Sequence, residues 1–407
     1  MSRDQVRAVH CDHRASDEEV YAALARATAP LERAWAKLKT ARRIGIKFNQ
    51  AWDPDKLRYF EGQLQELVST SVARATLRLL RERTSAELVC SEISVFSREQ
   101  HPELGYGMPL LPLLREFGVE FVDGNRPPHK TYAVPGGGQM FRQLLLPEGA
   151  KEVDAFVSVQ KMKNHAFMGV TLCLKNLFGL TPQEPLGRSR QYFHHLVRMP
   201  YLLADLGRLF DPALNIVDGL VAQAGREWGG EPRIADTLMA GDQIISTDAC
   251  GAHLMGVDPR ADWLTPPFHR DRNALACAAE AGFGTVNLDE IDFQSEVRAP
   301  VAEFHAEVTD PREMVVSWRR TTAEQALYYR DHQRELVDRH AGEYILLQEG
   351  EVRWHSPDST IRESRRVLSG SRPDQGMYLK LVDPDEAEGE HYEVYERALE
   401  DIRQRQL

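Results

Sequence analysis

The sequence predicts an α/β protein with a two-lobed core of parallel or mixed sheets covered by helices, and a small C-terminal α+β accessory module. Short β-type runs alternate with amphipathic helical patterns up to residue 122, which is typical of a parallel sheet covered by helices. Beyond residue 300 the chain changes to a charged helix followed by short strands. We expect an N-terminal lobe at 1–150, a second lobe at 151–300 with a crevice between them, and the C-terminal helix and β-β-α-β module at 301–407.

The first lobe begins with a helical pattern for which Ser16 is a suitable N-cap. In chain order the patterns predict a helix at 16–40, a strand at 43–49, a helix at 62–82, a strand at 87–95, a helix at 110–117 and a strand at 119–122. Residues 123–148 are rich in turn residues and include the run from Gly136 to Gly138. This run lacks the strand and helix context of a dinucleotide site, so a flexible hairpin loop is favoured over a phosphate cradle.

The second lobe and the C-terminal module are predicted in the same way. We expect a buried strand at 153–159, helical spacing at 169–180, and strand-to-loop passages at 214–218 and 240–248, each ending in an aspartate. The module is predicted as a helix at 321–340, strands at 343–347 and 351–354, a helix near 358–368 and a strand at 377–382.

Composition excludes several classes of protein. The five cysteines are scattered and none has C-x-x-C spacing, which argues against a disulfide framework, a zinc ribbon and an iron–sulfur cluster. The chain has neither a secretory signal core nor an apolar run near eighteen residues, so a cytoplasmic protein without a membrane span is expected. The net charge of −11 disfavours nucleic-acid binding, although a local basic pocket can still bind a small anion.

A polar segment directly follows the predicted strand at 153–159. If its backbone is extended, Lys161, Lys163 and His165 share one side. Ligands of α/β sheets usually bind outside the carboxyl ends of the strands. Two lysines there can hold a carboxylate or phosphate, and a histidine can titrate near neutral pH. The alternative is that these lysines are simply solvated.

Lys175 stands in an otherwise apolar segment, beside Asn176. Burying a lysine without a partner is unfavourable and lowers its pKa, which suits a nucleophile or a proton carrier. A lysine that extends from a surface helix to solvent is the alternative. His194 and His195 follow within twenty residues. Because adjacent histidines on a helix point about 100° apart, one can line the site while the other is structural.

A metal site is a further possibility. His165 and His195 with Asp218 and Asp248 could form a histidine/carboxylate site for a divalent transition metal. Both aspartates follow predicted strands, so capping the next helix is an equally good interpretation.

Two other pairs of residues could reach the same crevice. Lys47 and Asn49 end an early predicted strand, although a plain turn is equally consistent with them. Glu227 and Trp228 lie in a glycine-rich loop, where the tryptophan could either close over a ligand or anchor the loop on the core.

The segments 161–165 and 169–180 together resemble the signature of the domain-of-unknown-function 362 family, roughly K-x-K-x-H followed by T-x-x-L-K-N-x-F-G. Supporting matches lie at 46–49, 217–219, 246–250 and 255–259, so the resemblance covers about residues 40–290. This chain lacks the ferredoxin-like cysteine cluster of many relatives. The glycine-rich G-x-G-P element of the family is altered here at 225–232.

The spacing from His165 to Lys175 is also similar to that of the histidine and the cofactor-tethering lysine in nickel-pincer lactate racemase. That similarity implies a metal-adjacent or proton-transferring His165, a Lys175 that anchors a cofactor or acts as a base, and a second acid/base at His194 or His195. From the residues we expect an enzyme that acts on a small carboxylate-bearing substrate by Lys/His acid–base chemistry, of isomerase, oxidoreductase or lyase type. The sequence leaves open which cofactor the enzyme uses and whether a metal assists the reaction. It also leaves open whether the chain forms a homo-oligomer or binds a partner enzyme. The alternative is a non-catalytic anion- or metal-binding protein that serves a partner enzyme.

Overall fold

A nine-stranded mixed sheet forms the centre of the chain, and its presence confirms the predicted α/β class. The computed structural model describes residues 3–93, 101, 103–183, 187–188, 190–370 and 374–407. The strands are β1 Gln5–His10, β2 Arg43–Phe48, β3 Tyr59–Phe60, β4 Gln63–Leu64, β5 Glu87–Glu92, β6 Glu120–Asp123, β7 His129–Ala133, β8 Gln143–Pro147, β9 Ala155–His165, β10 Gly169–Thr171, β11 Leu214–Ala224, β12 Glu231–Gly241, β13 Asp292–Ser295, β14 Tyr344–Gln348, β15 Glu351–Ser356 and β16 Tyr378–Leu381.

Helices cover the sheet and continue into the C-terminal region. They are α1 Asp17–Thr28, α2 Glu32–Thr40, α3 Thr70–Arg83, α4 Leu111–Glu116, α5 Glu148–Lys151, α6 Cys173–Asn176, α7 Arg190–Phe193, α8 Arg198–Phe210, α9 Ile244–Leu254, α10 Ala274–Glu280, α11 Arg312–Asp331, α12 Gln333–His340, α13 Arg365–Leu368 and α14 Glu393–Gln404. Within the described ranges, none of these helices has the length and apolar character to cross a bilayer.

The order of strands in the large sheet is β13-β1-β12-β11-β9-β2-β5-β6, and β10 pairs with β9. The strands from β11 through β9, β2 and β5 to β6 run parallel, so their carboxyl ends lie at one edge. One large apolar cluster contains Phe156 and Met162 of β9, and a second contains Val157 and Val159 of the same strand. Because successive residues of a strand face opposite ways, these clusters lie on the two faces of the sheet.

Both predicted lobes contribute strands to this one sheet. β2 pairs with β9, and β1 pairs with β12. The crevice is therefore located at the carboxyl edge of a shared sheet, not between two separate sheets. The C-terminal module is a separate antiparallel sheet in the order β15-β14-β16, with α13 between β15 and β16 as expected.

Several predicted element bounds differ from the structure. The helix expected at 16–40 is capped by Ser16 as predicted, but it is divided into α1 and α2 at a segment that contains Pro30, which has no N–H to continue a helix. The helix expected at 62–82 begins only at Thr70. Residues 244–248 are predicted as the end of a strand-to-loop passage, but they form the start of helix α9. The end of the strand expected at 87–95 lies outside the described residues.

Candidate active site

β9 carries the Lys/His segment and extends further than expected, to His165. Its backbone is held by pairing with β2 and β11 on either side, and near its end with β10. Lys161, Lys163 and His165 are all buried. Only the last two line the cavity at the carboxyl edge of the sheet.

The cavity holds about 100 Å³, which is space for several water molecules or a small ligand. It is smaller than the several hundred Å³ usual for sites of larger ligands. An organic nickel cofactor tethered to Lys175 therefore does not fit this space. The lining residues are Lys47, Asn49, Ala51, Glu92, Gln160, Lys163, His165, Thr171, Lys175, Asn176, Phe178, Gly179, Arg190, His194, Glu227 and Trp228.

Lys163 is held by a backbone carbonyl and an aromatic ring. Its ammonium donates a hydrogen bond to the carbonyl of Glu66 at 2.8 Å and lies 4.4 Å from the centroid of the Trp228 ring. Burial lowers the pKa of Lys163 to about 7. Since no described carboxylate forms an ion pair with this ammonium, its charge is available to an anion in the cavity.

Lys175 lies on the short helix α6 and is directed towards His194. The amine nitrogen is 3.4 Å from Nε2 of His194 and 4.5 Å from the centroid of the Phe178 ring. Nδ1 of His194 lies 3.3 Å from the carbonyl of Arg190, which places its proton on Nδ1 and leaves Nε2 to accept from Lys175. Burial, and then the charge of Arg190, lowers the pKa of Lys175 to about 7. Burial also holds the pKa of His194 well below its usual value.

His165 is a neutral imidazole with an assignable tautomer. Its Nδ1 accepts hydrogen bonds from the backbone N–H groups of Phe167 and Met168, at 3.0 and 3.3 Å. Burial, and then the charge of Lys175, keeps the pKa of His165 well below 6.5. The proton therefore resides on Nε2, which makes no hydrogen bond to any described residue. Glu227 lies 3.3 Å from Nδ1 and accepts from the N–H of Ala166.

Arg190 is a cation of the site that the sequence analysis missed. It lines the cavity from the first residue of α7, and its guanidinium lies 5.7 Å from the centroid of the Phe178 ring. Within the described part of the chain its guanidinium forms no hydrogen bond or ion pair, whereas its backbone carbonyl accepts from His194. Its position four residues before His194 was the available signal, because residues at this spacing are neighbours on a helical turn.

Lys47 is neutralised within the cavity wall. Its ammonium forms an ion pair with the buried Glu92, at the end of the neighbouring strand β5, and lies 3.2 Å from Oδ1 of Asn176. The side-chain amide of Asn176 donates to the carbonyls of Lys47 and Val159, so this predicted substrate-binding residue ties α6 to the sheet. A Cβ on Gly179 would lie 2.7 Å from Cε of Lys47, which explains the glycine there.

Asn49 borders the cavity beside a neighbouring amide. Its Oδ1 accepts a hydrogen bond from Gln160 at 3.3 Å. The oxygen of the same Gln160 amide, Oε1, is buried without a hydrogen-bond partner in the described residues. The hydroxyl oxygen of Thr171, Oγ1, is buried in the same way. Both of these side chains line the cavity, so they offer unused polar groups to a ligand.

Lys161 is separated from the cavity by its own ion pair. Its ammonium lies 2.8 Å from Asp218 and donates to Ser69 at 3.0 Å, and both charged side chains are fully buried. The predicted role of Lys161 in holding a substrate anion is therefore replaced by a structural one.

His195 and Asp248 also have other partners. Nε2 of His195 accepts a hydrogen bond from the backbone N–H of Leu379 in the C-terminal module, and burial lowers the pKa of His195 to about 3. The carboxylate of Asp248 accepts from the N–H groups of Cys173 and Leu174 at the start of α6, so it caps a helix that lies earlier in the chain and not the next one. The structure thus separates the four residues of the predicted metal site, and they are not among the described His/Cys/Asp/Glu groups that could share one ion.

The loop before β12 closes one side of the cavity. Trp228 stacks on Trp52 with ring centroids 3.6 Å apart and an interplanar angle of 2°. The N–H of Gly229 donates to the side chain of Glu66, which fixes the loop beside Lys163. Trp228 therefore combines the two predicted roles, because it anchors the loop and also covers the cation.

Comparisons with known proteins cover this part of the chain. A family model described as Domain of unknown function (DUF362) matches residues 44–253, just over half of the chain, and this range contains every cavity-lining residue. A thylakoid-associated protein of Synechocystis sp. is 28% identical over 157 residues, which is 37% of this chain and 46% of that protein. The match thus spans less than half of that relative's length.

Proposed function

We propose that this chain, which belongs to the DUF362 family, is an enzyme that removes and returns a proton beside the carboxylate of a small substrate. The observation that carries the proposal is the pairing of Lys175 with His194 in a cavity that contains uncompensated cations. With a pKa of about 7, a large fraction of Lys175 is a neutral amine at neutral pH. A group with a pKa near the working pH is best suited to general base catalysis.

The substrate carboxylate would be held by Lys163 and Arg190. Both line the cavity, and neither has an ion pair with a described carboxylate. A planar guanidinium can bind a carboxylate through two parallel hydrogen bonds, and an ammonium adds a compact charge. The unused Gln160 Oε1 and Thr171 Oγ1 favour a substrate with a further polar substituent.

In the proposed reaction the lone pair of Lys175 accepts the proton from the carbon next to the carboxylate. The electrons of the broken C–H bond move into the carboxylate and form an enediolate. Its extra negative charge is stabilised by the two cations and by a hydrogen bond from Nε2–H of His165. The Lys175 ammonium, whose protons exchange with water, then returns a proton to the carbon; return to the other face would complete an isomerisation.

The wider setting is also part of the proposal. We infer a cytoplasmic enzyme without a resident iron–sulfur cluster, and all five cysteines are free and buried, which suits a reducing compartment. Assembly as a homo-oligomer or with a partner enzyme is compatible with this chemistry. The relative's name associates that protein with thylakoids, so a peripheral membrane association is the alternative location.

The test is proton exchange in D₂O, followed by ¹H NMR, with a panel of small 2-hydroxy, 2-amino and 2-oxo carboxylates. Wild-type protein should exchange the C2 hydrogen of at least one 2-hydroxy or 2-amino carboxylate, whereas the 2-oxo carboxylates have no hydrogen at C2 and serve as blanks. Lys175→Ala should slow exchange by about 10²- to 10⁴-fold, the usual contribution of a general base. Lys56→Ala, at an exposed lysine, is the matched control and should exchange like wild type.

The pH dependence provides a second criterion. Lys175 must lose its proton to act, whereas Lys163 must keep its proton to hold the anion, and both pKa values are about 7. The kcat/KM of exchange should therefore follow a narrow bell centred near neutral pH. A carboxylate that binds wild type and not Arg190→Gln, without any exchange, would replace this proposal with a non-catalytic anion-binding protein.

A further inference from the structure

Two histidines and a glutamate converge in the C-terminal module, outside the residues matched by the family model. Nδ1 of His340 and Nδ1 of His355 each lie 3.0 Å from the same carboxylate oxygen, Oε2 of Glu343. The two imidazole centroids are 5.1 Å apart. Three potential ligand atoms thus lie within 4.8 Å of one another.

The fold of the module holds these three side chains in place. His340 is the last residue of α12, and Glu343 follows after a turn. The backbone N–H of Glu343 closes this turn by donating to the carbonyl of His340. The N–H of Val382, next to β16, donates to the carbonyl of Glu343 and fixes that turn to the sheet. His355 pairs with Ile345 across β14 and β15, so it lies on the same face as Glu343.

We propose that His340, Glu343 and His355 bind one divalent transition-metal ion of the Zn²⁺ class. Zinc–nitrogen and zinc–oxygen bonds are about 2.0–2.1 Å, so neighbouring ligand atoms of a tetrahedral site lie about 3.3 Å apart. The observed spacings of 3.0 Å come within a few tenths of an ångström of that geometry. Water would occupy the fourth position, and the exposure of His355, whose side chain is 56% accessible, provides the route of entry.

The donor set selects the kind of ion. Two imidazoles and one carboxylate suit Zn²⁺, Co²⁺, Ni²⁺ or Cu²⁺, whereas Mg²⁺ and Ca²⁺ need oxygen ligands. Bound there, the ion would join the end of α12 to the β14–β15 hairpin. The proposal is independent of the chemistry proposed for Lys175.

A second group, Asp12, His13 and Asp236, does not support the same inference. Both ring nitrogens of His13 face carboxylates, with Nδ1 2.8 Å from Asp236 and Nε2 3.1 Å from Glu61. An imidazole that donates from both nitrogens is protonated and has no lone pair for a metal. At His340 and His355 only Nδ1 faces the carboxylate in the described structure.

The experiment uses the full chain after treatment with a chelator. Isothermal titration calorimetry with ZnSO₄ should show one equivalent bound, and the melting temperature should rise with Zn²⁺ and not with Mg²⁺, because an ion that binds the folded state stabilises it. Adding Co²⁺ should produce visible absorption bands of a four-coordinate site. Circular dichroism checks that each variant is folded.

Variants decide between this site and adventitious binding. His355→Ala and Glu343→Gln should each weaken Zn²⁺ binding by at least about tenfold and abolish the rise in melting temperature. His332→Ala, at an exposed histidine outside the cluster, should bind like wild type. Absence of stoichiometric Zn²⁺ binding to wild type, or equally tight binding by folded His355→Ala and Glu343→Gln, would overturn the proposal.

Discussion

The amine of Lys175 should titrate several pH units below an ordinary lysine. Burial, and then the charge of Arg190, lowers its pKa from 10.5 to about 7. At pH 7 about half of these amines are neutral, against roughly four in ten thousand for a lysine at its usual pKa of about 10.4. The reactive fraction is therefore larger by about a thousandfold. This prediction requires no knowledge of the substrate.

Competitive labelling with trace acetic anhydride from pH 5.5 to 10 measures this titration, with each modified peptide quantified by mass spectrometry. The midpoint for Lys175 should lie near 7, far below the usual value of about 10.4 for a lysine. We use the midpoint because limited access lowers the amplitude of labelling without moving the midpoint. Arg190→Gln should raise the midpoint of Lys175, since a neighbouring cation disfavours the ammonium form. If the midpoint of Lys175 lies near 10.4, the usual value of about 10.4 for a lysine, the argument from burial is refuted.

Three further predictions concern the surroundings of the site. Lys161→Met should lower the free energy of unfolding in urea by about 3–5 kcal/mol, because it leaves the buried Asp218 unpaired. Adding Asp218→Asn should recover most of this loss. A double variant no more stable than Lys161→Met would contradict the pairing. Glu390→Gln should lower the melting temperature, because it removes the carboxylate paired with the buried Arg198 and one of the two carboxylates beside the buried Lys380, which keeps Glu386. A wild-type melting curve would contradict this. Trp228→Ala should raise the labelling midpoint of Lys163 by admitting water to it, and an unchanged midpoint would show that the loop does not bury this amine.

The class of the fold could be predicted from the alternation of strands and helices, but some bounds could not. β9 continues through Lys161 and Lys163 because groups distant in the chain satisfy their ammonium ions. The carboxylate of Asp218 pairs with Lys161, and the carbonyl of Glu66 accepts a hydrogen bond from Lys163. A local pattern cannot show such partners. The segment 244–248 begins with two isoleucines and continues with polar residues, a pattern too short to distinguish a strand from a buried helix, and in the structure it forms the first turn of α9.

The candidate site was predictable in its residue types, but its membership was only partly predictable. Lys163, His165, Lys175 and His194 line one cavity, as the clustering of these residues suggested. His195 lies one residue away in sequence, yet its ring contacts the C-terminal module instead. Adjacent side chains on a helical turn point in different directions, and only the packing of the module determines which histidine faces the cavity.

A carboxylate partner separates the structural lysines from the candidate functional ones. Lys47 and Lys161 are neutralised by Glu92 and Asp218, and these carboxylates lie on neighbouring strands but 45 and 57 positions away in the chain. Lys163 and Lys175 are desolvated without such a partner, so their pKa values fall to about 7. Charges further away than about 8 Å are largely screened at physiological salt, so the net charge of −11 does not cancel this local excess of cations. An acidic chain can therefore present an anion site wherever buried lysines outnumber the carboxylates beside them.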